Sequence, residues 1–136
     1  MKNRHQEQGF SMLELIIYIT IVGIIVTIAV PKYTNAVTMA NTAKVQADLQ
    51  TIDTAVAMYQ MQKGTYPSEL GSNMSEYLPN MAHVVPPQGK CLLTSGETIE
   101  ITATAYTLSD TKEAECQGHP AYDFGKRETT KVVEEK

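Results

Sequence analysis

The sequence predicts an α+β fold in which a long N-terminal helix carries a small antiparallel β-sheet on its second half, and three observations predict it. Residues Phe10 to Val30 form an apolar run whose single formal charge is Glu14. From Lys32 to Lys63 there is no glycine or proline, and Val45, Leu49, Ile52, Val56 and Tyr59 recur at spacings of four, three, four and three. That rhythm lays one apolar stripe along an otherwise polar helix, with Lys44, Gln46, Asp48, Gln50 and Asp53 beside it. After Gly64 the chain changes to short β-prone runs broken by Pro, Gly and Ser.

The apolar run has 21 residues, about 31 Å of helix, enough for a hydrocarbon core of about 30 Å. Lys2 and Arg4 precede it, which keeps the N-terminus cytoplasmic and directs the rest outward. A secretory signal peptide shares the basic start, but its apolar run is about 7–15 residues and a small-residue cleavage site follows it. Only Tyr33-Thr34-Asn35-Ala36 offers a candidate there. A plain single-pass anchor is the second reading, and the third depends on residues at fixed spacing.

Those residues are Gly9-Phe10-Ser11-Met12-Leu13-Glu14, a short basic leader ending in glycine and then an apolar helix with glutamate as its fifth residue. The pattern resembles the class III leader of the type IV pilin family, which includes the pseudopilins of type II secretion and competence machines. Gly23 and Pro31 fall where many members have a helix-loosening glycine and a kinking proline, and Lys63-Gly64-Thr65-Tyr66-Pro67 is similar to a loop after the family's helix. The resemblance is close over residues 2–33, looser over the following helix, and only architectural beyond residue 70.

The resemblance implies a type IV pilin-like fold and a leader, residues 1–9, cut by a prepilin peptidase between Gly9 and Phe10. Phe10 would be N-methylated, and the mature chain would keep its transmembrane and assembly helix, residues 10–30. Its partners would be copies of itself in a helical filament, an inner-membrane assembly platform, minor pilins, and lipid before assembly. The chain would start in the cytoplasmic membrane with its N-terminus inside and end in an extracellular filament.

A carboxylate in the middle of a spanning helix costs about 2.5–3.5 kcal/mol, so Glu14 requires a partner. One reading satisfies it with the helix dipole and free N–H groups one turn from the new terminus. The resemblance implies another, in which the charged amino group of Phe10 on a neighbouring subunit pairs with it and sets axial register. Neutralisation within one subunit is a third. Pro31 cannot donate to the carbonyl of Thr27 and crowds it. With Gly23 and the β-branched Ile24, Ile25, Val26, Thr27 and Ile28, it marks a stretch of weak helix formers. The resemblance implies local melting there on assembly; alternatively Gly23 permits close helix packing and Pro31 ends the span.

A continuing amphipathic helix, residues 31–63, is expected to stop at Gly64, a plausible C-cap. A small disulfide-bearing β domain follows over residues 64–125, with strands at His83 to Val85, Cys91 to Leu93, Thr98 to Thr104 and Tyr106 to Leu108. Alternating Ile99, Ile101 and Ala103 supply the face that covers the stripe. The two cysteines, Cys91 and Cys116, lie beyond the span, so in an exported domain they read as one disulfide; in a cytosolic one they are free thiols. The charged tail, residues 126–136, is expected to be disordered.

Chemistry is sparse. His5, His83 and His119 stand apart with no ligand spacing, and no phosphate loop, nucleophile elbow or CxxC occurs. No cofactor and no enzymatic activity are expected. Asp110, Glu113, Glu115 and Asp123 form either a calcium site or a solvated acidic face. The net charge is −4, and removing Lys2, Arg4 and Glu7 with the leader takes away one net positive charge and leaves −5. Nucleic-acid binding is therefore not expected from this subunit. The leading function is a structural pilin of a type IV pilus-like filament, and the alternative is a pseudopilin of a type II secretion or competence DNA-uptake machine.

Overall fold

The computed structural model describes residues 9–71, 74–79 and 83–125. Helix α1 spans Met12–Lys63, followed by β1 (Gly89–Leu92), β2 (Thr98–Ile101), β3 (Thr107–Leu108), β4 (Ala114–Cys116) and β5 (His119–Pro120), then a 3-10 turn at Ala121–Asp123. The chain divides into two compact units, one ending at Asn35 and one beginning at Ala36, and α1 contributes to both.

In the first unit the helix begins where Ser11 accepts from the N–H of Leu15 at 3.1 Å. It continues through Gly23 and Pro31. This part is long and apolar enough to cross a membrane, with a mean hydropathy of 2.6 and none of it buried within the chain.

The second unit is α+β. Val45, Leu49, Ile52, Ala55 and Val56 of α1 are buried against Cys91, Leu93, Ile101, Tyr106, Ala114, Cys116 and Phe124, with Tyr59 packed at the margin of this core. The expected stripe is therefore the buried one, joined by Thr42 and Ala55. Gly64 ends the helix at φ +74°, a left-handed conformation that only glycine adopts cheaply, and its N–H donates to Gln60 at 2.8 Å. Met74 and Leu78 extend the core beyond that end, where Tyr77 meets Tyr59 edge-on at 5.5 Å.

The β portion is two small antiparallel sheets rather than one. β1 pairs with β2, with Cys91 opposite Ile99, and β3-β4-β5 form a three-stranded sheet. Phe124 bridges to Leu93, tying the end of the second sheet to the first. The expected strand at His83 to Val85 is absent. Its residues make a tight local turn, Val85 N–H to His83 O at 3.1 Å, and Pro86 and Pro87 follow with no N–H to offer a ladder. The expected strand over Thr98 to Thr104 stops at Ile101. There the N–H groups of Thr102 and Ala103 turn to the Gln117 side-chain oxygen Oε1, at 2.7 and 3.2 Å.

Helix and sheets are joined by polar groups set into the stripe's edges. Thr42 Oγ1 accepts from Leu92 N–H at 2.8 Å while donating to its own helix at Thr38, 2.7 Å. Asp53 Oδ1 accepts from Ala114 N–H at 2.6 Å, and Asp48 Oδ2 accepts from the Tyr106 hydroxyl at 2.7 Å. Lys44 spans from Asp48 at 2.6 Å to the Val85 carbonyl at 2.9 Å.

Cys91 and Cys116 are both buried and both free thiols. Burial raises the Cys91 thiol, against a lowering hydrogen bond from Thr42, and pushes Cys116 up to about 11, with the charge of Cys91 adding to the rise. Tyr106 is raised well above the phenol range by burial, then by Asp48.

Two predictions follow from this core. Thr42→Val keeps the shape but leaves the Leu92 N–H unpaired, and should lower unfolding free energy by about 1–2 kcal/mol in chemical denaturation. In the reduced protein the folded state holds the Cys116 proton above the ordinary thiol value of 9.0, so it binds more protons than the unfolded chain. Stability is then full below pH 9.0 and falls as pH rises towards about 11. A denaturation midpoint of the reduced, detergent-held protein that stays level across that window would contradict the assignment.

Candidate assembly site

The expected site residues fall in two places. Gly9, Phe10, Glu14, Gly23 and Pro31 belong to the first unit, whereas Cys91 and Cys116 lie in the second. Residues 1–8, including Lys2, Arg4 and His5, lie outside the described residues, as does the tail from Lys126.

Gly9, Phe10 and Ser11 are non-helical and exposed, and Phe10 is 83% accessible. The Gly9–Phe10 bond thus lies in open chain just ahead of the helix, the form in which a protease cleft takes a substrate. A Cβ built on Gly9 meets nothing within 4 Å, and the same holds at Gly23. Neither position needs glycine for packing within the described chain.

Glu14 occupies the first turn of α1 and is exposed. Ser11 and Glu14 have the S-x-x-E spacing of a capping box, a signal present in the sequence that the initial reading did not use. The reciprocal bond is not made: among the described residues the Glu14 carboxylate has no hydrogen-bond or ion-pair partner. It stands as an unpaired acid on an apolar rod. Helix geometry persists at Pro31, whose own carbonyl accepts from Thr34 Oγ1 at 2.9 Å.

Among the described residues no group of three His, Cys, Asp or Glu side chains is placed to share a metal ion. The acidic residues beyond β3 are dispersed, and Asp123 faces His119 Nδ1 at 3.1 Å. What the stretch from Phe10 to Val30 offers is an exposed apolar surface with one formal charge, Glu14, at a defined height.

Residues 4–30 match the family model of the prokaryotic N-terminal methylation motif. Relatives include the type II secretion system core protein G of Klebsiella michiganensis, 31% identical over 65 residues, which are 48% of this chain and 46% of that protein. The same-named protein of Pseudomonas aeruginosa is 29% identical over 65 residues, with 48% and 46% covered. The type IV narrow pilus major component PilA5 of Thermus thermophilus is 38% identical over 61 residues, with 45% and 53% covered. The chain thus spans about half the length of the curated relatives it matches. No solved structure matches. With its methylation motif, its exposed apolar helix and an α+β unit built on the continuation of that helix, the chain is similar over its N-terminal half to type IV pilins and pseudopilins.

Proposed function

We propose that this chain is a structural subunit that polymerises through the first half of α1 into a type IV pilus-like surface filament. The observation that carries this reading is the unpaired Glu14 on an otherwise apolar, fully exposed helix, five residues after Gly9. A prepilin peptidase cuts between Gly9 and Phe10 and methylates the new amino group, leaving a mature chain that starts at Phe10. Each Glu14 then pairs with the Phe10 amino group of a neighbouring copy. In surroundings without water such a pair attracts strongly and an unpaired member is penalised, which fixes register. The stretch from Gly23 to Pro31 loosens as copies pack. The subunit starts in the cytoplasmic membrane with its N-terminus inside and works without enzymatic activity of its own.

The relatives named as type II secretion core protein G favour a second reading, a pseudopilin in a short filament of a secretion machine. Shearing cells separates the two readings: long surface filaments made mainly of this chain support the pilin, and their absence supports the pseudopilin. In either machine the β domain meets an oxidising compartment, and the buried Cys91 and Cys116 are proposed to close a disulfide. That bridge encloses about 25 residues and is worth roughly 3.5 kcal/mol in the chain-entropy model.

Two outcomes are expected. The intact mass of the mature chain should correspond to a methylated start at Phe10 with two hydrogens missing, the latter restored on reduction; a start at Met1 would refute processing. Glu14→Ala should be processed and inserted normally yet yield at least about tenfold fewer filaments, because an unpaired amino terminus costs more than one factor of ten in association. Normal filament yield from that variant would refute the pairing.

A further inference from the structure

We infer that Tyr18 is a second polar anchor of the subunit interface, its hydroxyl donating to the Glu14 carboxylate at the point where a second copy of this chain brings its Phe10 amino group. The inference rests on the filament reading and adds a positioning residue to it.

Polar groups in the apolar half of α1 must be satisfied without water. Beyond Ser11, the polar side chains between Phe10 and Pro31 are Glu14, Tyr18, Thr20 and Thr27. Both threonines satisfy themselves on their own helix: Thr20 Oγ1 donates to Ile16 O and Thr27 Oγ1 to Ile24 O, each at 2.7 Å. Glu14 and Tyr18 do not, for neither has a hydrogen-bond partner among the described residues. Tyr18 is 67% exposed.

Their spacing of four places these two groups on one face of the helix, with Cβ atoms about 5–6 Å apart. Helical side chains lean towards the N-terminus, so the Tyr18 ring is directed over the turn that bears Glu14. A phenol is a donor with an apolar body, suited to an apolar surface with one polar contact. The occupant is fixed by charge: this face presents one carboxylate and one neutral donor, and a processed second copy presents a cation at its first residue. Glu14 and Tyr18 are the only titratable side chains from Phe10 to Pro31, and the second copy adds the same two groups and its Phe10 amino group.

The test uses filaments sheared from cells making the full chain, with processing checked by mass, and follows their dissociation as pH is lowered. A hydrogen bond to the carboxylate favours its charged form. Tyr18→Phe removes that bond while keeping the ring, so dissociation should move to higher pH, by about one unit. Thr20→Val removes a hydroxyl already satisfied by its own helix and should leave the midpoint in place. An unchanged midpoint for Tyr18→Phe, or an equal shift for Thr20→Val, overturns the role of Tyr18. If Glu14→Ala still abolishes filaments in that case, the filament reading stands alone; a wild-type chain that forms no filaments overturns both.

Discussion

Burial of one helical stripe, from Val45 to Val56, is the constraint on which the folded second unit depends. Its sheets have two and three strands, and three of the five strands are only two or three residues long. Strands so short hold together only against another apolar surface. The stripe provides it: Cys91 and Ile101 from one sheet, Leu93 just beyond β1, and Ala114 and Cys116 from the other sheet share one core with Leu49 and Ile52, which have no accessible surface. Because the stripe is narrow, the polar residues on its flanks stand close enough to reach the β portion. Thr42 and Asp53 accept from strand N–H groups and Asp48 from the Tyr106 hydroxyl just ahead of β3, and so orient the sheets that the apolar residues merely attract.

Polar accounting separates the two units. In the second, no buried side-chain nitrogen or oxygen among the described residues lacks a partner. Even Gln117, strained at φ 52°, recovers hydrogen bonds to Thr102, Ala103 and the Glu100 carbonyl. That unit is complete in itself. The first unit is not, since its apolar side chains face outward and Glu14 has no partner among the described residues. A surface of that size without a partner in the same chain signals lipid or protein outside it.

The helix, its stop at Gly64 and its buried stripe were legible because a 3.6-residue rhythm sustained over several turns is hard to produce by accident. The missed strands had weaker signals. β4 and β5 are joined at Gln117-Gly118, where both residues take positive φ. Glutamine is not a residue that announces such a turn; only its contacts with the other sheet hold it there. Thr42 was not among the residues expected on the stripe, yet it is buried there, where its hydroxyl accepts from the Leu92 N–H. The error at His83 to Val85 ran the other way: β-branched residues suggested a strand, and the two following prolines removed its continuation. At the N-terminus the spacing of Gly9, Phe10 and Glu14 was readable, whereas the lack of an internal partner for Glu14 needed coordinates, since Ser11-x-x-Glu14 also spells a cap.

On the filament reading, that unmade cap explains why the acid suits assembly. A carboxylate already capped by the backbone of the free subunit gains little from a neighbour, because the new contact must displace an existing bond. Left unpaired among apolar residues, it keeps the full benefit of meeting a cation, and so discriminates between registers that bury the same apolar area. On the filament reading the leader completes the control. While Gly9 remains attached, Phe10 contributes an amide instead of an amino group, so its nitrogen carries no positive charge and the register has no electrostatic preference. Cleavage creates the cation and the preference together, which restricts ordered association to chains that have already reached the membrane and been cut.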